Sequence, residues 1–424
     1  MGHRLRIAWF SPLNCGVAGS STCAYVSDQL LPELSADFEI DLFHDSFERY
    51  QNFRTFHYLS AFCHDQDNPY DLFFYQVEDR KAADFCRMHL GLAPGIVLFH
   101  DFIMRTRGPV SLLESPWLRT ISRVNSCSAE DFASVEPLAW REAACAPFAV
   151  FSDPRSLDEF RRKVTLRIES GRSLEESSFY LPLPAACGHA SAAQKVFKVC
   201  SAAGVQVEHR AHKMLLALSR CKAPVSLIWL VDSAEEGLAR ELLAEYGIKD
   251  ARIISGRSPA RWAEVAGGAD AAVHTLFSAY GQCGPWLQIS LMAGLPCLIT
   301  DFGSADYWPE GLLFKIEPGE SEAVQIAAVL EKLAATDLTA QREASRSYAS
   351  CEFATPKVAS ELARIFELAA PVMRDVRRRW SMLADSGKRE LVVRSLGEDP
   401  LCRQALEPVY RELGWSGSSQ QEVG

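Results

Sequence analysis

Short apolar runs alternate along this chain with stretches whose apolar residues recur at helical spacing. Residues 5–10 (LRIAWF) read as a buried strand, the small-residue loop 11–22 follows, and residues 23–34 form a helix with Leu30, Leu31 and Leu34 on one face. Residues 38–43, 72–76 and 96–99 are the next strands, with a helix expected over 80–90, and the strand 148–151 ends in Ser152-Asp153. Strands that alternate with helices imply a parallel sheet covered on both faces. Ligands of such sheets bind at the carboxyl ends of strands, which singles out His100 and Asp101, directly after strand 96–99. Residues 44–70 and 105–145 carry no recognisable pattern.

From 169 to 192 the sequence loses periodicity and gains Gly, Pro and Ser, as an interdomain linker does, so a domain boundary is expected near 180. A second alternating series follows: strand 196–200, a loop around Gly204, helix 210–220, strand 225–231, helix 234–246, strand 252–255, helix 260–266 and strand 271–274. The stretch 276–304 (LFSAYGQCGPWLQISLMAGLPCLITDFGS) reads as a tight glycine loop, a helix over 286–293 and a buried strand over 297–300. Backbone NH groups where such a loop opens a helix favour an anionic ligand such as a phosphate. One more strand at 312–316 and helices from about 320 to 370 complete the series; the tail is basic, then helical over 400–413, then polar. The halves share architecture without a sequence period, so the expectation is two doubly wound, Rossmann-like α/β domains facing across a cleft. Their spans are 1–180 and 181–370, with a helical tail over 371–424.

Composition narrows the function classes. With 424 residues, 48% hydrophobic and 23% charged, the chain is an ordinary globular protein long enough for two cores. A formal net charge of −10 argues against nonspecific nucleic-acid binding, Arg374, Arg377, Arg378 and Arg379 being the local exception. The N-terminal apolar run is too short for a signal peptide and no run reaches membrane-spanning length, so the expected location is cytoplasmic. The 13 cysteines are scattered, several within apolar segments, without CxxC pairs, and read as reduced thiols.

Four stretches in order resemble the GT-B glycosyltransferases, specifically the retaining family 4 type (glycosyl transferases group 1) acting in polysaccharide and glycoprotein assembly. RIAWFSPLNCGVAGSSTCAYVSDQLLPEL is similar to the opening strand, serine-glycine loop and helix of one branch, whose usual form is SPLPP, SGIADYS, LLPAL. APGIVLFHDFI resembles PGVVVLHDFF, and VCSAAGVQVEHRAHKMLLAL resembles the first strand, glycine loop and basic helix of the donor domain. SAYGQCGPWLQISLMAGLPCLITDFGS aligns without gaps on PTAGETSGALLRALAAGRPVIVSDVGS.

The resemblance implies transfer of a sugar from a nucleoside-diphosphate donor to a glycan, lipid-linked or protein acceptor, without a metal or other cofactor. Catalysis of that kind is largely electrostatic preorganisation and orientation. His100 falls on the acceptor side near the reacting sugar, with Asp101 orienting it or capping the next segment. The family's diphosphate-binding residue falls on Arg210, with Lys213 one turn on, and Gly19 and Gly204 fall in the two glycine loops. Gly281, Cys283, Gly284, Gly303 and Ser304 fall on the donor side. A solvated basic face remains the alternative for Arg210 and Lys213, and a strand-end structural role for His100.

Several positions depart from the family. Its donor-domain Glu is Gln282 here, and its second carboxylate, which holds the ribose, is Ser290, leaving Gln288 or Ser290 to do so. A hydrogen bond to a charged group contributes roughly 1.5–3 kcal/mol against roughly 0.5–1.5 for a neutral one, so an amide slows transfer by about tenfold or more. Leu276 replaces an Arg, and Ala83 stands near an expected His. Glu78, Asp79 and Arg80 offer substitute chemistry or, more simply, a charged turn capping a helix. Three readings stay open: a working transferase, a catalytically silent homologue that binds a nucleotide, a glycan or a partner glycosyltransferase, and a nucleotide-binding enzyme of another class. The basic residues from 374 to 379 with Trp380 fit either peripheral contact with an anionic membrane or a solvated helix face.

Overall fold

A computed structural model describes residues 4–13, 21–104, 138–163, 177–187, 196–279 and 284–381. The first half runs β1 (Arg6–Phe10), α1 (Thr22–Leu34), β2 (Glu39–His44), β3 (Arg54–His57), α2 (Ala61–Asp67), β4 (Leu72–Val77), α3 (Asp84–Leu92) and β5 (Ile96–Phe99). It continues through α4 (Trp140–Ala144), β6 (Phe148–Phe151), α5 (Pro154–Lys163) and β7 (Ser178–Tyr180). These strands form one parallel sheet in the order β3-β2-β1-β4-β5-β6-β7.

The second half runs β8 (Phe197–Ser201), α6 (Ala211–Arg220), β9 (Val225–Val231), α7 (Glu236–Glu245), β10 (Ala251–Ser255), α8 (Pro259–Gly267) and β11 (Ala271–His274). After it come α9 (Trp286–Met292), β12 (Cys297–Thr300), β13 (Phe314–Ile316), α10 (Glu322–Ala334), α11 (Thr339–Glu352) and α12 (Thr355–Ser381). Its sheet is parallel in the order β10-β9-β8-β11-β12-β13. The order reverses beside β1 in the first sheet and beside β8 in the second, the switch points at which doubly wound sheets build ligand sites.

Central strands are mostly apolar because helices cover both faces: every residue of β1, β4, β5 and β6 is buried, Arg6 and Gln76 included. Two strands escape the apolar-run signal. β3 (RTFH) is an edge strand with no fully buried residue, and β7, in the stretch read as linker, is a three-residue edge strand. Edges need no continuous apolar run, so neither stands out in sequence. The short helix α2 likewise falls in the patternless stretch 44–70.

The last helix leaves the second half and completes the first core. Phe366 on α12 meets Trp9 at 6.4 Å, Phe74 at 5.2 Å and Phe38 at 5.6 Å between ring centroids. The outgoing and returning chains meet where Ala185 N donates to Phe353 O at 2.8 Å.

Candidate functional site

Strand register brings three polar residues into a row at the carboxyl edge of the first sheet. Val77 pairs with Phe99 and Phe99 with Phe151, so Glu78, His100 and Ser152 are the next residues on three adjacent strands. The ladder continues into them through His100 N to Val77 O at 2.9 Å and Ser152 N to Phe99 O at 3.1 Å. All three line a cleft of about 200 Å³, whose opposite wall is the carboxyl edge of the second sheet. That wall comprises Ala202 and Ala203 after β8, His209, Arg257 after β10, His274 to Leu276 around the end of β11, and Gly284 and Trp286 at the start of α9.

A buried network assigns the tautomer of His100. Trp9 Nε1 and Gln76 Nε2 donate to Ser27 Oγ, whose own proton goes to Ser11 Oγ, and Ser11 donates on to Pro12 O. Gln76 therefore turns its carbonyl oxygen to His100, 2.8 Å from Nε2, which must carry the hydrogen. Burial lowers the ring to about 3, so it is neutral near pH 7, and its acceptor nitrogen Nδ1 has no hydrogen-bond partner among the described residues. Glu78 has a similar split. Its Oε2 accepts from Thr22 N at 3.0 Å, while the buried Oε1 has no partner among the described residues. Burial pushes this carboxyl above its usual range, with Arg80 acting in the opposite direction. Asp101, also lining the cleft, accepts from Asp79 N at 2.9 Å. The first wall thus offers hydrogen-bond acceptors beside one cation, Arg80.

The second wall carries one guanidinium among its described lining residues. Arg257 donates to Ala202 O at 3.1 Å and Asp232 Oδ2 at 2.8 Å, lies 5.9 Å from the Trp286 ring centre, and keeps a buried, unpartnered Nε. Burial, then the Arg257 charge, lowers His209 to about 4. Thr275 fixes the turn by donating to His209 O at 2.6 Å. Side chains crowd Gly204: a Cβ there would lie 2.3 Å from Gln206 Oε1, which would have to turn away, and 3.1 Å from the His209 ring.

The residues singled out from sequence divide. His100, Asp101 and Gly284 line the cleft, and the chain just before Gly204 does too. Arg210 does not line it. It sits in the left-handed region at φ 49° ahead of α6, with Nε 3.1 Å from Glu322 Oε1, a second guanidinium nitrogen on Oε2, and Phe277 at 5.2 Å. Lys213 is also turned away, donating to Gly319 O at 3.0 Å. Ser290 is fully buried, bonded to Trp286 O, Trp262 Nε1 and His274 Nε2, so here it is a core residue; Gln288 is fully buried as well. Gly303, at φ 66°, packs so closely that a Cβ would lie 2.3 Å from Ser278 O. Its carbonyl accepts from Arg155 at 2.8 Å, and Ser304 donates to Asp153, which ties this turn to the first sheet. Gly19, Gly281, Gln282 and Cys283 lie outside the described residues.

Sequence reasoning missed Arg257, His209, Thr275 and Trp286, and treated Glu78 and Arg80 mainly as a capping turn. Glu78 and Arg257 both follow strands, so the strand-end rule that marks His100 would have marked them. Among the described residues no group of three or more His, Cys, Asp or Glu could hold a metal ion, and no helix is long and apolar enough to cross a membrane.

No family model and no curated protein matches the sequence. Solved structures do match. The sucrose-phosphate synthase of Thermosynechococcus elongatus is 13% identical with a TM-score of 0.63, over 87% of this chain and 100% of that one. Anabaena HepE, solved in complex with UDP-glucose, is 12% identical with a TM-score of 0.59, over 86% and 99%. WaaG, a glycosyltransferase involved in lipopolysaccharide biosynthesis, is 12% identical with a TM-score of 0.56, over 84% and 99%. The chain has the GT-B fold over most of its length.

Proposed function

We propose that the protein is a glycosyltransferase that moves a sugar from a nucleoside-diphosphate donor to a glycan, lipid-linked or protein acceptor, with retention of anomeric configuration. A cleft that sets the Arg257 guanidinium across from unpartnered acceptors on Glu78 and His100 carries the reading. A diphosphate suits the wall holding the Arg257 guanidinium, and sugar hydroxyls suit unpartnered acceptors on Glu78 and His100. In this reading residues 1–180 form the acceptor side, 181–370 the donor side, and Gln282 is the amide that holds the transferred sugar. His100, kept neutral by burial, accepts a hydroxyl at Nδ1 while Gln76 holds its other nitrogen. Arg257 stabilises charge on the departing diphosphate.

A second reading, a silent homologue that binds a nucleotide or a partner transferase, is favoured by two observations. Glu322 occupies the guanidinium of Arg210, and Ser290 has joined the core. One experiment separates the two. The protein, Arg257→Ala and Gln282→Glu are each incubated with a panel of nucleotide sugars including UDP-glucose, following thermal shift and donor turnover. Turnover that disappears in Arg257→Ala supports the enzyme. Binding without turnover, with turnover gained in Gln282→Glu, supports the silent homologue, and no shift with any donor overturns both.

A further inference from the structure

We infer that Glu78 is a catalytic residue of this site, supplying from the first sheet the carboxylate that the donor side lacks and accepting a hydroxyl of the transferred sugar at Oε1. This rests on the glycosyltransferase reading. Among the described residues that line the cleft, those of the second half include no carboxylate, and the position where the resemblance places one is Gln282. The first half contributes Glu78 and Asp101. Asp101 is already engaged by Asp79 N, whereas Glu78 is 2% exposed and has one oxygen unpartnered.

Helix capping accounts for only one oxygen of Glu78. At the N-terminus of α1, Ser21 accepts from Ala24 N at 3.2 Å and Glu78 Oε2 accepts from Thr22 N at 3.0 Å, serving a second of the helix's otherwise unsatisfied donors. That bond holds the carboxylate in place and leaves Oε1 without a partner among the described residues. Strand register sets that oxygen's residue beside His100, whose unpartnered Nδ1 is also an acceptor. Two neighbouring buried acceptors call for a ligand with neighbouring hydroxyl donors, which a sugar ring presents and a phosphate does not.

In the reaction, the bond from the anomeric carbon to the diphosphate oxygen breaks and its electron pair leaves with the diphosphate. The acceptor oxygen forms the new bond, and its proton passes to the departing phosphate oxygen. Glu78 forms no covalent bond. Its hydrogen bond to the sugar hydroxyl strengthens as positive charge develops on the ring, the pattern of electrostatic catalysis in a water-poor site.

The test uses the full chain with UDP-glucose and the other panel donors, comparing wild type, Glu78→Gln, Gln282→Glu and the double variant by donor thermal shift and turnover. Glu78→Gln should keep the donor shift and lose about tenfold or more in kcat with little change in KM. Adding Gln282→Glu should restore much of that loss. Wild-type turnover in Glu78→Gln overturns the inference while leaving the transferase reading intact. A loss that Gln282→Glu does not repair, or one accompanied by a lowered melting temperature, also overturns it by pointing to a scaffold role. Absence of turnover by the wild type with every donor overturns both.

Discussion

Replacing Arg210 by alanine strands the carboxylate of Glu322, whose side chain is 0% exposed while its partner's is 17% exposed. Removing one member of a buried ion pair costs about 3–5 kcal/mol, because the remaining charge stays desolvated. Glu322 is the first residue of α10, and a helix N-terminus returns about 0.3–1 kcal/mol to a negative charge there. The expected net loss is roughly 2–5 kcal/mol, which for a unit of this size lowers the melting temperature by about 4–20 °C. Calorimetry of the wild type, Arg210→Ala and the double variant Arg210→Met/Glu322→Leu checks the reasoning. The double variant should recover most of the loss, since an apolar pair needs no charge compensation. Arg210→Gly should melt above Arg210→Ala, because glycine accepts a φ of 49° without the Cβ penalty of about 1–2 kcal/mol. A melting temperature within about one degree of wild type in Arg210→Ala, together with lost donor affinity, would refute a structural role and return Arg210 to the donor site.

Three further outcomes follow from the same structure. Burial holds His89, His100 and His274 at about 3 each, so the unfolded chain takes up protons near its ordinary histidine range while the folded chain does not. Their contribution is complete above about pH 6.5 and declines as the pH falls towards 3, by up to about 1.4 kcal/mol per unit per histidine; melting curves should show it, and His274→Gln should flatten the slope. A pH-independent melting temperature across that window would contradict the assignment. Gly303→Ala places a Cβ 2.3 Å from Ser278 O at a φ of 66°, so a loss of about 1–3 kcal/mol in urea unfolding is expected, and an unchanged midpoint would be inconsistent with that packing. Replacing Asp153 and Asp158 by alanine removes the partners of Ser304 and Tyr307, two ties between the halves. Small-angle scattering should then report a larger radius of gyration, and an identical profile would show that these ties do not hold the halves together.

The fold was readable where burial is two-sided. Strands Phe148–Phe151, Val225–Val231, Ala271–His274 and Cys297–Thr300 occupy the spans their apolar runs predict, because a covered parallel strand must be mostly apolar along its length. Arg54–His57 and Ser178–Tyr180 were invisible because an edge strand obeys no such rule. The site divides on similar lines. His100 and Asp101 reach the cleft because they follow a strand, and Glu78 follows its neighbour in register. The fate of Arg210 was not legible: a basic residue beside a glycine loop looks the same whether it faces a phosphate or a carboxylate 112 positions away. That choice is made by packing, here by a fully buried Glu322 on a helix far along the chain.

The position of α12 bears on the order in which the protein can be made. Trp9, Phe38 and Phe74 leave the ribosome well before the ring that packs against all three, Phe366, which comes after almost the whole second half. At about 5–20 residues per second, this face stays uncovered for tens of seconds while the whole second half emerges and folds. The N-terminal half therefore begins as an unfinished hydrophobic surface, and truncation ahead of Thr355 should leave it sticky and prone to capture by chaperones. A helix made after both sheets thus acts as the closing piece of the first core.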